Sequence, residues 1–232
     1  MKRLQLVFLS VSTLIFTTTS ALFAAPIGVP GATVGANKSD ISAEANFLFD
    51  RDITGNAGGG TAEGTQAFAK GTVGLTDRVD LVVRLGFGDF KVKDQSPSTL
   101  NIDSGVGPAF GLGLKATWAQ MPDANLKIGT VLQTTHLRSK DGDSRFGWTE
   151  YDAAIGAFLD SGSRSLRAGD AALIPYGGVV WSGLDINGAA LEDKTFGIFV
   201  GVLARFAGNL HVGIELRVPD QTALGVEAGF SF

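Results

Sequence analysis

Seven stretches of this chain alternate apolar and other residues with period two, three more read as strands less cleanly, and that pattern limits the fold more than any other feature. Only an extended strand sends successive side chains to opposite faces. Ile41, Ala43, Ala45, Phe47 and Phe49 alternate with Ser42, Glu44, Asn46, Leu48 and Asp50. Ala67, Ala69, Gly71, Val73 and Leu75 alternate with Gln66, Phe68, Lys70, Thr72 and Gly74. The same order recurs in 79–88, 110–118, 196–206, 210–218 and 224–232. Residues 126–137 and 149–159 fit less cleanly, although Tyr151, Ala153, Ile155, Ala157 and Leu159 make an apolar face. Residues 173–184 read as a strand whose facing the sequence leaves open. No helical period competes with these runs.

Each run is roughly 10 to 14 residues long, enough to cross a bilayer at a tilt. Strands of a soluble β-sandwich are commonly about 5 to 6 residues. The second face of each run carries unusual amounts of glycine, which a water-facing strand does not need. Small residues inside a narrow barrel make room for larger neighbours. The expected fold is therefore all-β: a single antiparallel transmembrane β-barrel of about 10 strands, with 8 or 12 also compatible. Lipid offers the backbone no hydrogen bonds, so the sheet must close on itself.

The connections support the same architecture. Residues 76–78, 120–125 and 207–209 are short turns, whereas 52–64, 91–104, 138–146 and 185–194 are long. Barrels of this class have short turns on one side of the membrane and longer loops on the other. Two connections depart from the rule: 161–170 is long where a turn is expected, and 219–221 is short where a loop is expected.

The first residues lie outside the expected fold. Lys2 and Arg3 precede a mostly apolar stretch, 4–16, and then small residues ending at Ala21, Ala24 and Ala25. This is the layout of a secretory signal peptide. Cleavage after Ala24 is preferred and cleavage after Ala21 is the alternative. The division is then 1–24 signal peptide, 25–39 short periplasmic segment, and 40–232 barrel. The absence of cysteine removes disulfides and thiol chemistry. A formal net charge of −4 without basic clusters leaves no footprint for nucleic acid.

The carboxyl terminus adds a motif. The sequence closes on Phe232, with Phe230, Ala228, Val226 and Leu224 at every second position before it. This resembles the terminal strand of outer-membrane β-barrel proteins, the porin-like proteins of Gram-negative-type bacteria. The Thr-Asp-Arg turn at 76–78 is similar to turns of that class. The resemblance covers the mature chain in pattern and the last nine residues in motif. It implies an outer-membrane location, lipid contact, periplasmic chaperones, and a barrel-assembly machinery that reads Leu224, Val226, Ala228, Phe230 and Phe232. Phe47, Phe49, Phe87, Trp118, Phe206, Phe230 and Phe232 are candidates for an interfacial aromatic girdle.

Function is expected in the lumen. Glu44, Lys70, Asp80, Arg84, Lys115, Arg205, Glu215, Arg217 and Glu227 are the lumen-lining candidates, and Asp50, Lys127 and His211 fall on the same face by alternation. Pairing of these charges would plug a narrow barrel, whereas hydration of the same groups would bias ion passage. The inner glycines leave space and lean toward a narrow pore.

Catalytic motifs are weak. An omptin-like protease would need acids and a histidine at the outer rim. His136 with Asp141 and Asp143 is the nearest approach, and His211 lies at the wrong end. Lipid-modifying barrel enzymes use serine and histidine, but no nucleophile elbow is present. The Gly86/Gly88 and Gly111/Gly113 pairs lie inside strands and lack the context of a nucleotide loop. No cofactor, metal or catalytic residue is assigned. The expectation is a non-enzymatic, porin-like or structural barrel that passes small solutes or ions narrowly at most. A surface protein using its loops as an adhesin or receptor is the alternative.

Overall fold

The computed structural model describes residues 25–55, 58–94, 102–160, 171–186, 189–190, 196–218 and 221–232. The expected signal peptide, 1–24, lies outside the described residues, as do 56–57, 95–101, 161–170, 187–188, 191–195 and 219–220.

The elements in chain order are β1 (Ser39–Gly55), β2 (Gly58–Thr76), β3 (Val79–Asp94), β4 (Ile102–Asp103), β5 (Gly107–Met121), β6 (Leu126–Asp141), β7 (Ser144–Leu159), β8 (Ala171–Ile186), β9 (Ala189–Ala190), β10 (Phe196–Phe206), β11 (Leu210–Val218) and β12 (Thr222–Ser231). β4 and β9 are two-residue additions beside β3 and β8. The other ten form one antiparallel ring. Neighbours in sequence pair with one another, β12 pairs with β1, and β8 pairs with β10 across the short β9. No backbone edge is left open along this ring, as a hydrocarbon surrounding requires.

Alternation is realised as inside and outside. Along β5 the residues from Gly107 to Trp118 alternate buried and exposed almost without a break, with Phe110, Leu112, Leu114 and Trp118 outside. Phe110 and Trp118 stand eight positions apart on that strand. Eight residues at about 3.3 Å each span roughly 26 Å along a strand. Tilt shortens this along the barrel axis, which brings it near the apolar band of about 25 Å typical of such barrels. Trp118, Phe206, Phe230 and Phe232 are exposed near the end that carries the termini; Phe49, Phe87, Tyr151, Trp181 and Phe196 are exposed higher up the wall. Phe47 is half-buried on the outer face.

The 76–78, 122–125 and 207–209 turns gather at the end where Ser39 and Phe232 exchange backbone hydrogen bonds. The expected long connection 138–146, at the other end, is instead a two-residue turn, Gly142-Asp143, because β6 and β7 stay paired as far as Asp141 and Ser144. The 207–209 turn places Gly208 at φ +84° and Asn209 at +66°, the left-handed pair that a tight hairpin needs. The Pro122–Ala124 connection is one turn of 3₁₀ helix closed by Asn125 at φ +51°. β8, whose facing the sequence left open, turns Ile174, Tyr176, Val180, Ser182 and Leu184 inward and Leu173, Val179 and Trp181 outward.

One expectation fails on β1. Alternation placed Asp50 on the inner face, but the ladder of β1 shifts register between Leu48 and Arg51. This β-bulge adds a residue and resets the facing beyond it. Asp50 is exposed and Arg51 is buried at 1% exposure.

The lumen is filled in layers. At the end away from the termini, Leu48, Phe68, Phe90, Leu137, Trp148 and Leu184 pack into an apolar layer. The middle is charged. Residues 25–36, from the segment 25–39 expected ahead of the barrel, run inside it, with 25–32 buried, whereas Asn37 and Lys38 are exposed. Ile27 and Val29 pack there against Phe158, Tyr176, Phe199 and Leu203 of the inner wall.

Candidate functional site in the barrel lumen

The inward charges fall into two sets: ion pairs between strands, and groups that hold the inner segment. In the first set, Arg84 on β3 donates from Nε to Glu44 of β1 at 3.0 Å and from Nη1 to Gln133 of β6 at 3.1 Å. Lys70 on β2 lies 3.3 Å from Glu44 and pairs closely with Glu227 of β12. His211 of β11 stands 3.3 Å from Glu227 and 3.4 Å from Asp40. Higher up, Arg217 of β11 pairs with Asp152 of β7 at 3.0 Å, and Arg51 pairs with Glu150 at 2.7 Å. Gln133 donates to Asp152 at 3.0 Å and so joins the two groups. Arg51, Arg84, Arg217, Glu44, Glu150 and Asp152 are all at most 4% exposed. A buried ion is tolerable only with a partner and further hydrogen bonds, and this arrangement supplies both across the ring.

In the second set the partner is backbone. Glu215 of β11 accepts from Ile27 N–H at 2.8 Å through Oε1 and from Gly28 N–H at 2.7 Å through Oε2. Asp80 of β3 accepts from Thr33 N–H at 2.7 Å and Val34 N–H at 3.2 Å through Oδ2. Between them Thr117 Oγ1 accepts from Ala32 N–H at 2.9 Å. Cations take the carbonyls: Arg84 donates to Pro26 O at 3.1 Å, Lys115 to Val29 O at 3.3 Å and Arg205 to Thr33 O at 3.1 Å.

The glycines of the inner face explain how a chain fits. A Cβ on Gly225 would stand 2.4 Å from Pro26 Cγ, one on Gly129 2.3 Å from Pro30 O, and one on Gly74 1.8 Å from Gly35 O. The space that read as a narrow pore in the sequence is occupied by the segment. Beside it lies a cavity of about 40 Å³, touching Asp40, Lys70, Lys115, Arg205, His211 and Glu227. That is room for a few waters at most.

All nine lumen-lining candidates thus lie inside. Glu44, Lys70, Arg84 and Glu227 meet as one group, Asp80, Lys115, Arg205 and Glu215 reach the segment, and Arg217 pairs with Asp152. Lys127, expected on the same face, pairs with Asp160 at 2.6 Å at the rim instead. Sequence reasoning passed over Arg51, Gln133, Glu150, Asp152 and the segment itself. Glu150 and Asp152 alternate with the recognised apolar face of β7 and were legible in principle. Arg51 was hidden by the bulge.

The rim trio does not assemble. The ring of His136 lies outside the barrel against Phe110, at 5.1 Å between centroids. Its Nδ1 is 2.8 Å from Thr149 Oγ1, and Arg138 Nε donates to its Nε2 at 3.2 Å. Asp141 accepts from the N–H of Asp103. Among the described residues no group of three His, Asp or Glu side chains stands together as for a metal ion.

Of the five residues expected to carry an assembly signal, Leu224, Val226, Ala228 and Phe230 sit on β12, the strand that closes the ring between β11 and β1, and Phe232 follows directly after it. Phe230 and Phe232 are exposed on the outer wall with ring centroids 5.1 Å apart.

No protein-family model matches the sequence, and no curated protein matches it. Solved structures do. The β domain of the Bordetella autotransporter BrkA is 14% identical over 86% of this chain and 99% of that one, with a TM-score of 0.44. An outer-membrane channel from Pseudomonas putida F1 is 11% identical over 90% of this chain and 100% of that one, with a TM-score of 0.44. The outer-membrane protease OmpT of Escherichia coli is 12% identical over 93% and 99% of the two chains, with a TM-score of 0.34. By its own closed ladder, even strand number and apolar outer belt, the protein is a ten-stranded β-barrel of the outer-membrane type, and that membrane is the surrounding its surface fits.

Proposed function

We propose that the protein is a porin-like outer-membrane barrel that is occluded at rest and passes at most small solutes or ions. One observation carries the reading: the lumen is filled by residues 25–34, held at Glu215, Thr117 and Asp80. Barrel geometry agrees with it. Eight strands leave an interior just filled by side chains, whereas open porins use about 16 to 18. Ten strands add room for one extended chain and little more. The short turns then face the periplasm, the segment enters from that side, and the apolar layer around Phe90 and Trp148 lies toward the exterior.

No enzymatic role is part of the proposal. His136 is engaged by Thr149 and Arg138 on the outer wall, away from the lumen charges. The partners that follow from this reading are outer-membrane lipid, periplasmic chaperones and the barrel-assembly machinery. The test is conductance of the purified full chain in a planar bilayer. A closed trace or a small conductance is expected; a steady conductance the size of a general porin's would overturn the proposal.

A further inference from the structure

We propose that the inner wall is a binding site for an extended, glycine- and proline-containing peptide read through its backbone, and that residues 25–36 are its tethered occupant. The inference rests on the occluded-barrel reading and deepens it, because it names what the lumen recognises.

The contacts have the character of a peptide site and not of core packing. Glu215 and Asp80 each take a pair of consecutive N–H groups, and Thr117 takes another between them. Arg84, Lys115 and Arg205 take carbonyl oxygens along the same stretch. The hydrogen bonds from wall to segment named here all end on the segment's backbone. Pro26 and Pro30 lack an N–H, so they leave no donor orphaned where the wall offers no acceptor. Ile27 and Val29 supply the apolar anchors against Phe199 and Leu203.

Shape adds selectivity. Gly28 is at φ +69°, a conformation that side-chain-bearing residues rarely adopt. A Cβ on Gly31 would stand 2.6 Å from Thr117 Oγ1 and 2.7 Å from Phe158 Cε1. The wall answers with its own glycines at 74, 129 and 225, whose missing side chains form the trough. A peptide with bulk at either segment glycine does not fit.

The site persists when its occupant leaves. The ten strands close by pairing with one another, and the segment contributes no strand to the ring. Without it, Glu215 and Asp80 face water, which solvates carboxylates well. Occupancy is therefore a binding equilibrium biased by the tether. A short tether holds its ligand at an effective concentration of about millimolar, so a free peptide competes poorly until the tethered copy is disabled.

The test uses the full chain. Gly31→Trp is placed in the segment, leaving every wall residue intact, and single-channel current is recorded in a planar bilayer. A stable open level absent from wild type is expected. Gly28→Val, which acts through backbone strain instead of bulk, is expected to open the same level. A synthetic peptide of residues 25–36, added at the end that carries the termini, is then expected to abolish that level in a saturable way. The same peptide carrying Gly31→Trp is expected to leave it unchanged. The chain has no cysteine, so an Ala32→Cys, Thr117→Cys pair can be oxidised without competitors. That cross-link is expected to hold the barrel closed until it is reduced. Variants that open but ignore the wild-type peptide would overturn the peptide site while leaving the occluded-barrel reading in place. Two variants that fold and stay closed would also overturn it. A wild-type protein already open like a general porin would instead overturn the functional reading itself.

Discussion

Glu215 and Gly28 lie 187 positions apart in sequence, yet the carboxylate of one accepts the backbone N–H of the other at 2.7 Å inside the barrel. The contact joins β11 to a segment that precedes the first strand. It seats that segment inside the barrel. Its loss has a measurable local signature. Glu215→Ala removes the acceptor of two buried N–H groups, each worth about 1–3 kcal/mol when left unsatisfied. Amide exchange at Ile27 and Gly28 should accelerate strongly, while amides of β5 and β6, paired strand to strand, stay protected. Unchanged exchange at 27 and 28 would mean that this carboxylate does not hold the segment.

Arg84 ties the two sets of lumen charges together, because it reaches Glu44, Gln133 and Pro26 O. Arg84→Ala should destabilise the barrel by about 1–3 kcal/mol, since it leaves Glu44 with Lys70 as its ion-pair partner and takes a donor from Gln133 and from Pro26 O. It should also raise conductance by loosening the segment's first residues. Urea unfolding and bilayer current measure the two effects separately. A variant as stable and as closed as wild type would show that Arg84 supports neither.

Facing can be tested from the lipid side. Val200 and Ile214 are exposed on the outer wall, at 54% and 47%, and Leu81 alternates onto the same face of β3. Arginine at any of them should cost roughly 2–4 kcal/mol if they sit near mid-bilayer. Spin labels at these positions should be relaxed by lipid-soluble agents; preference for a polar relaxant would invert the assignment.

Phe232 lies beside the seam where β12 pairs with β1. Phe232 N–H donates to Ser39 O at 2.8 Å, and its side chain stays 62% exposed on the outer wall. Deleting Phe232 should leave export intact and reduce the amount assembled in the outer membrane, with material accumulating in the periplasm. Quantification of the two fractions decides it: a normal membrane fraction would remove the terminal motif from any role in assembly.

Cleavage after Ala24 would make Ala25 the first residue of the inner segment. Ala25 is fully buried in the lumen, and Gln133 donates to its carbonyl at 3.3 Å. Intact mass of the membrane-extracted protein should correspond to a chain starting near Ala25. A mass that retains residues 1–20 would refute cleavage in this region.

The sequence by itself determined the strands and most of their facing, and pointed to about ten of them, because a period of two is local information. Leu81, Val83 and Leu85 point one way in any extended strand, and hydrocarbon outside the ring makes that way outward. The short turns and the terminal aromatic motif were legible for the same reason: each is complete within a few residues. The tertiary structure alone decided the rest. The bulge between Leu48 and Arg51 depends on how β1 must meet β2 and β12 at once, so alternation carried past it placed Asp50 inside and missed Arg51. The facing of β8 was set by its neighbours β7 and β10, not by its own mixture of apolar and glycine residues. The filling of the lumen was least legible. Inner glycines look alike in sequence whether they line water or make room for Pro26 and Pro30. Only the closed ring, which sets Glu215, Thr117 and Asp80 along one inner surface, distinguishes an open path from a seat for the chain's own backbone.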